Sequence, residues 1–207
     1  MTQPRVPMIP AAPTHDATLA EVLARWREIR GNDAELPTLY RVLGNAPALF
    51  RGWVDFAWPL RSEPRSERRL REMLILREAQ ICNARYEWAH HVPMALQAGV
   101  TRAQIAALPH WAQADVYDAR ERAVLRLAEE VATGPAASDA AIDGLREAGF
   151  EVDEVVELTL TASFYVCVSR FLLSMNVEPE GDYLRYLDDG ECRLPPGLSA
   201  ATPPAGT

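Results

Sequence analysis

Nine residues, Asn83-Ala84-Arg85-Tyr86-Glu87-Trp88-Ala89-His90-His91, place two adjacent histidines and a glutamate inside an otherwise apolar stretch, and they hold half of the chain's four histidines. On a helix, Glu87 and His91 stand four residues apart and share one face. A carboxylate and an imidazole at that spacing make an acid/base site. The carboxylate orients one ring nitrogen and stabilises the charged ring, and the other nitrogen is left to exchange a proton with a substrate. His90 points about 100° away from His91 on the same helix and reads as an exposed or interface residue. Tyr86 and Trp88 read either as the wall of a pocket or as packing. Arg77, Arg85 and Arg170 are candidates to bind a substrate carboxylate through the guanidinium fork; the plainer alternative for each is an ion pair on a helix surface.

The charge balance narrows the chemistry. The formal net charge of -8 argues against nucleic acid as a partner, which needs a basic footprint, but allows a small anionic substrate. All 21 Lys-plus-Arg residues are arginine. With no lysine, Schiff-base catalysis and a Walker-type phosphate loop are excluded. Cys82, Cys167 and Cys192 are far apart, form no CxxC and are odd in number, so neither a disulfide framework nor a zinc knuckle is expected. A reducing cytoplasm is the expected compartment. Residues 1–14 hold four prolines, one arginine and no apolar h-region, unlike a secretory signal. No stretch reads as long and apolar enough to span a membrane.

Apolar residues recur at helical spacing and almost nowhere alternate, which predicts an all-α fold. Three parts are expected: a flexible tail over residues 1–16, a single helical domain over 17–190 and a disordered tail over 191–207. The first helix runs from Ala17 to about Arg30 and stops at Gly31-Asn32. Tyr40 to Trp58 supplies one or two pieces broken near Gly44 and Pro47, and Pro59 to Ser66 is a linker with Ser66 as N-cap. Glu67 to Ile81 reads as a helix buried on more than one side. Tyr86 to Ala98 follows and ends at Gly99. Thr101 and Gln104 form a capping box. Asp118 to Thr133 and Ser138 to Ala148 are further helices, and Val152 to Met175 is a long apolar one with Asp153 as its N-cap. Pro93 has two readings: it interrupts a helix already running through Ala89 and opens it beside the histidines, or it opens a helix that starts near Val92.

The run from Leu70 to Leu108 resembles the carboxymuconolactone decarboxylase family, which also contains the AhpD-like alkylhydroperoxidases. The matching residues are Leu70-Arg71-Glu72-Met73-Leu74-Ile75-Leu76-Arg77, Tyr86-Glu87-Trp88-Ala89-His90-His91-Val92-Pro93, Ala95, Gly99 and the helix from Thr101. Phe164-Tyr165 and Ser169-Arg170-Phe171 look like that family's last core helix, so the similarity spans roughly residues 40–178. The resemblance implies a compact helical domain assembled as a trimer or hexamer, with the site near a subunit boundary. It carries the family's glutamate onto Glu72 and its histidine onto His91. Glu72 also lies in the first turn or so of its helix, where the dipole favours a carboxylate regardless of function. The two cysteine positions of the AhpD-like branch fall on Ala84 and Glu87, and Cys82 has no partner, so the dithiol that shuttles electrons is missing.

His91, Glu72 and Glu87 are therefore the expected catalytic residues, with Arg85, Tyr86, Trp88, Arg77 and Arg170 as substrate-binding candidates. The expected activity is cofactor-independent acid/base chemistry, decarboxylation or lactone chemistry, on a small carboxylated substrate. In it a protonated His91 stabilises an enolate-like species and delivers the proton. No metal is expected, because the order is Glu-x-x-His-His rather than His-Glu-x-x-His. The competing readings are a thiol peroxidase, against which the missing CxxC counts, and a non-catalytic helical oligomer that binds a small molecule.

Overall fold

A computed structural model describes residues 3–10, 16–30, 36–188 and 190–195. Among the described residues eleven α-helices run in chain order: α1 Ala17–Arg30, α2 Thr38–Leu43, α3 Pro47–Ala57, α4 Pro59–Ser62, α5 Arg68–Cys82, α6 Arg85–Gln97, α7 Arg102–Ala107, α8 Ala119–Thr133, α9 Asp139–Glu147, α10 Val152–Met175 and α11 Arg185–Asp188. No strand occurs among the described residues. The expected stop of α1 at Gly31-Asn32 and the segment 196–207 of the expected tail lie outside them.

Helix α5 is the central post. It packs on α8, α6 and α10 at once, and Leu70, Met73, Leu74, Leu76 and Ala79 are fully buried along it. A helix enclosed all round cannot place its charged residues in water, so Arg71, Glu72, Arg77 and Glu78 are buried as well. Three apolar groups surround it. Helices α1 to α3 close around Trp26, Tyr40 and Phe50, α5 to α8 enclose Trp88 and Ile105, and α5, α8, α9 and α10 meet at Leu127, Leu145 and Leu158.

The caps follow local chemistry. The Thr101/Gln104 box opens α7, and Asp118 with Glu121 opens α8 in the same way. Ser138 caps α9. Two expectations are corrected. Ser66 does not cap α5, because its hydroxyl and carbonyl are taken by Arg71 and the N-cap residue is Glu67. The N-cap of α10 is Glu151, whose N–H donates to Glu154, so Asp153 lies inside the first turn. The expected linker 59–66 contains α4, since Pro59 at a first helical position is preorganised for a turn.

The turn between α5 and α6 positions the site. Asn83 takes the left-handed conformation at φ 54°, which Asn tolerates, and the Ala84 N–H closes on the Ala79 carbonyl at 2.8 Å. The chain doubles back so that α6 lies along α5. Helix α6 starts at Arg85, so Pro93 sits inside it and leaves the Ala89 carbonyl without its usual donor. This favours the first reading of Pro93 over a helix starting near Val92.

Both expected tails are partly docked. The Arg5 N–H donates to the Met175 carbonyl, the Ile9 N–H to the Arg41 carbonyl and the Asn45 amide to the Pro7 carbonyl, so residues 3–10 lie against the α2 and α10 ends. Cys192 is buried, and its carbonyl accepts from Trp88 Nε1 at 2.9 Å. Backbone N–H groups and the distant Asn45 and Trp88 side chains hold these segments by their backbone, which composition alone does not report. Helix α10 also corrects an expectation: it is long and apolar enough, by length and composition, to cross a membrane. Half of its apolar window is nonetheless buried inside the protein, where Leu158, Ala162, Tyr165 and Leu172 pack on neighbouring helices.

Candidate active site

Helices α1, α2, α4, α5, α6 and α10 enclose a cavity of about 410 Å³. Glu72, Glu87 and His91 all line it. The carboxylate of Glu72, from α5, meets His91 Nδ1 at 2.7 Å, and Arg68 Nε donates to its other oxygen at 3.4 Å. The partner of His91 is thus Glu72 across the α5–α6 hairpin, whereas Glu87 on the same helix accepts from the Ser169 hydroxyl of α10. The ring of His91 stands edge-on to Tyr165, with centroids 5.1 Å apart. Since Nδ1 is engaged, Nε2 is the nitrogen left for chemistry.

Burial separates the two carboxyls. For Glu72, burial favours the neutral acid, but His91 and Arg68 outweigh it and hold the pKa below the ordinary 4.5. For Glu87, burial dominates, and the pKa is pushed up to about 8 against the opposing pull of Ser169 and Arg61. Burial also lowers His91, and Glu72 only partly restores it. At neutral pH the resting site therefore holds an ionised Glu72, a neutral His91 and a protonated Glu87. In the resting site burial thus keeps a proton on Glu87 and disfavours one on His91. Two acids whose surroundings push them apart mark the acid and base roles.

Behind Glu87 lies Glu78, fully buried with no partner on either oxygen. Burial, then the neighbouring Glu87 and Cys82, raise its carboxyl well above the usual range. Burial raises the Cys82 thiol too, which leaves little thiolate.

The pKa of Glu87 has a consequence for stability. Between pH 4.5 and about 8 the folded chain keeps a proton that the unfolded chain has lost. Stability therefore falls as pH rises through this window, and Glu87→Gln removes that part of the decline. Thermal unfolding of both proteins at pH 5 and pH 8.5 measures it; equal slopes would refute the assignment.

Of the expected substrate-binding residues, only Tyr86 lines the cavity. Trp88 is fully buried in the core on the far side of α6. Arg77 is buried against α8, where it pairs with Glu129 at 2.7 Å and also donates to Gln80. Arg85 pairs with Glu178 at the surface at 3.1 Å, and Arg170 is exposed on α10. Arg77 and Arg170 stand on other helices with partners or solvent of their own, Arg85 turns outward to Glu178, and Trp88, three residues before His91, is taken up by the core packed against α6.

His90, in contrast, does line the cavity. It is stacked between Tyr86 and Tyr183, with centroids at 4.3 and 3.8 Å, and its Nε2 meets Glu180 at 2.6 Å. The residues that spacing within one helix could not reveal are Arg61, Arg68, Arg71, Ser169 and Glu180. A usable signal was the density of arginine between Arg61 and Arg71, just before the buried helix. Among the described residues no group of three or more His, Cys, Asp or Glu side chains is placed to hold a metal.

The described residues form an all-helical fold like that of AhpD core structures. Residues 47–130 match the carboxymuconolactone decarboxylase family model. No curated protein matches the chain in sequence. Among solved structures, the AhpD core of an uncharacterized peroxidase-related protein from Ralstonia eutropha JMP134 superposes with a TM-score of 0.74 at 18% identity, over 89% of this chain and 96% of that one. A putative antioxidant defence protein AhpD from Agrobacterium tumefaciens gives 0.62 at 22% identity, over 68% and 96%. The debrominase Bmp8, solved with 2,3,4-tribromopyrrole, gives 0.71 at 19% identity, over 86% and 96%. These likenesses concern the fold.

Proposed function

We propose that the protein is a cofactor-independent acid/base enzyme acting on a small carboxylated substrate, by decarboxylation or lactone chemistry. The observation that carries this reading is the pairing of Glu72 with His91 in a cavity that Glu87 also lines. In the decarboxylation the bond from carbon to carboxylate breaks and CO₂ departs. The electron pair passes into an adjacent carbonyl as an enolate, and Glu87 supplies the proton that quenches the carbanion. Neutral His91, held by Glu72, offers Nε2 to accept a substrate proton or to hydrogen-bond the developing charge.

A thiol peroxidase reading draws on the names of the structural neighbours. Against it stand the absence of a CxxC pair and the raised Cys82 thiol. A purely ligand-binding role has the cavity in its favour but leaves the Glu72–His91 pair without a purpose. Homo-oligomeric assembly, as a trimer or hexamer, stays part of the proposal; its support is the exposed apolar side chains Leu49, Phe56, Leu160 and Leu173 on α3 and α10.

The test is a panel of carboxylated lactones and β-keto acids in D₂O, followed for CO₂ release and for one deuterium at the carbon that loses its carboxylate. Glu72→Gln keeps the shape but not the charge that orients His91, and it is expected to lower kcat by about 10²-fold or more. Turnover at the wild-type rate would remove Glu72 from the mechanism. Release of CO₂ by no member of the panel, together with peroxide consumption that Cys82→Ser abolishes, would replace this reading with the thiol one.

A further inference from the structure

We propose that Glu87 recovers its proton from behind the cavity, along a relay that runs from the surface at the end of α5 through the Cys82 thiol and the Ser169 hydroxyl to the Glu87 carboxyl. The inference rests on the acid/base reading for the demand for protons, not for the path.

Stoichiometry sets the demand. Loss of CO₂ from a carboxylate leaves a carbanion that takes up one proton, so each turnover draws one from solvent and leaves its donor ionised. Glu87 is 2% exposed, and what it shows the cavity is the face that a substrate or product covers. Among the described residues its carboxyl has one hydrogen-bond partner, the Ser169 hydroxyl on Oε2, and Oε1 is buried with none. Within the protein the way to that carboxyl therefore leads through Ser169.

Three helices build the path. Ser169, on α10, is fully buried, and its hydroxyl hydrogen goes to Glu87 Oε2 on α6. A hydroxyl has a single hydrogen to give and accepts through its lone pairs. Cys82, the last residue of α5, hydrogen-bonds the same hydroxyl, so its S–H is the donor there. The thiol is half-buried beside the exposed Asn83, and the positive charge of the exposed Arg170 acts on it. Surface, thiol, hydroxyl and carboxyl thus form one line. When Glu87 is ionised, the Ser169 proton passes to Oε2, the Cys82 proton passes to Ser169 Oγ, and the thiolate takes a proton from solvent. Each bond broken to hydrogen is replaced, and no electron changes hands. Arg170 steadies the thiolate while it lasts. Burial keeps the thiol protonated between turnovers, so the relay rests loaded. Glu78, which flanks both Glu87 and Cys82, has no hydrogen bond to either among the described residues and stands off the path.

The experiment follows the Glu87 proton itself. The protein is transferred into D₂O in mildly acidic buffer, and rapid-mixing infrared spectroscopy records the exchange of the carboxyl proton for deuterium, with the band assigned by its loss in Glu87→Gln. Cys82→Val keeps the volume of the thiol but cannot pass a proton, and it is expected to slow the exchange about tenfold or more. Cys82→Ser restores a hydrogen-bonding relay and should return the wild-type rate, and Glu78→Gln should leave it unchanged. With a carboxylated lactone or β-keto acid that is turned over, Cys82→Val should complete its first turnover at the wild-type rate, because the resting Glu87 is loaded. Later turnovers should slow about tenfold, which appears as a burst. Wild-type exchange in Cys82→Val, no recovery in Cys82→Ser, first and later turnovers slowed alike, or slowing by Glu78→Gln would each overturn the proposal. Exchange that depends on Cys82 in a protein that turns nothing over sinks only the acid/base reading, and turnover with exchange indifferent to Cys82 sinks only this one.

Discussion

His91→Ala is expected to lower turnover of any accepted substrate by about 10²- to 10⁴-fold, the range that a positioned general acid or base supplies. His91 is buried, its Nδ1 is spent on Glu72, and Nε2 is its only remaining nitrogen. Truncation removes that nitrogen and leaves Glu72 with Arg68 as its remaining partner, at 3.4 Å. The variant adjoins the cavity rather than the sealed core, so the lost ring widens existing space and the helices stay packed. Circular dichroism checks the fold and single-turnover kinetics the chemistry. A folded variant with the wild-type rate would show that the pair has another purpose. His91→Gln, which keeps a donor toward Glu72 but cannot accept a proton at ring geometry, should be nearly as slow.

Trp88→Ala is expected to cost about 3–5 kcal/mol of stability, the usual range for emptying a large aromatic from a core. The side chain is fully buried among Met73, Leu76, Val92 and Leu187. It also gives up the hydrogen bond from Nε1 to the Cys192 carbonyl, which ties residues 190–195 to α6. For a chain of this size the loss corresponds to a fall in Tm of roughly 10 °C or more. Urea unfolding and a thermal melt measure it. Trp88→Phe should recover most of the packing and none of the hydrogen bond. A variant of unchanged stability but weakened ligand binding would return Trp88 to the substrate-contacting group in which its neighbours in sequence had placed it.

Trp88 and His90 show where reading along one helix runs out. Both sit in the nine-residue motif; His90 is read there from its angle to His91, and Trp88 as either pocket wall or packing. Trp88 turned out to be core, and His90 part of the cavity wall. The direction of each side chain follows from helical geometry, but what stands opposite does not. The packing of α6 on α5 and on the residues around Leu187 set one inside, while Tyr183 and Glu180, about ninety residues downstream in sequence, enclosed the other. The arginines tell the same story. Arg77, Arg85 and Arg170 found carboxylates or solvent elsewhere, and the arginines that line the cavity, Arg61, Arg68 and Arg71, come from α4 and the first turns of α5.

Local chemistry alone determined much of this protein. The recurrence of apolar residues at helical spacing made it all-α, the Thr101 and Ser138 caps and the Gly99 stop placed helix ends, and the absent cysteine pair removed the dithiol. These depend on interactions within a few residues, which one segment carries whatever surrounds it. The protonation states were decided only by the tertiary structure. Glu72 and Glu87 are the same side chain, each near the start of a buried helix. One is ionised beside His91 and Arg68, and the other holds its proton because folding strips its water and offers a serine hydroxyl in return. A charge is priced by everything within several ångströms of it in space, so which glutamate gives the proton is a property of the packed helices rather than of the nine residues that first pointed to the site.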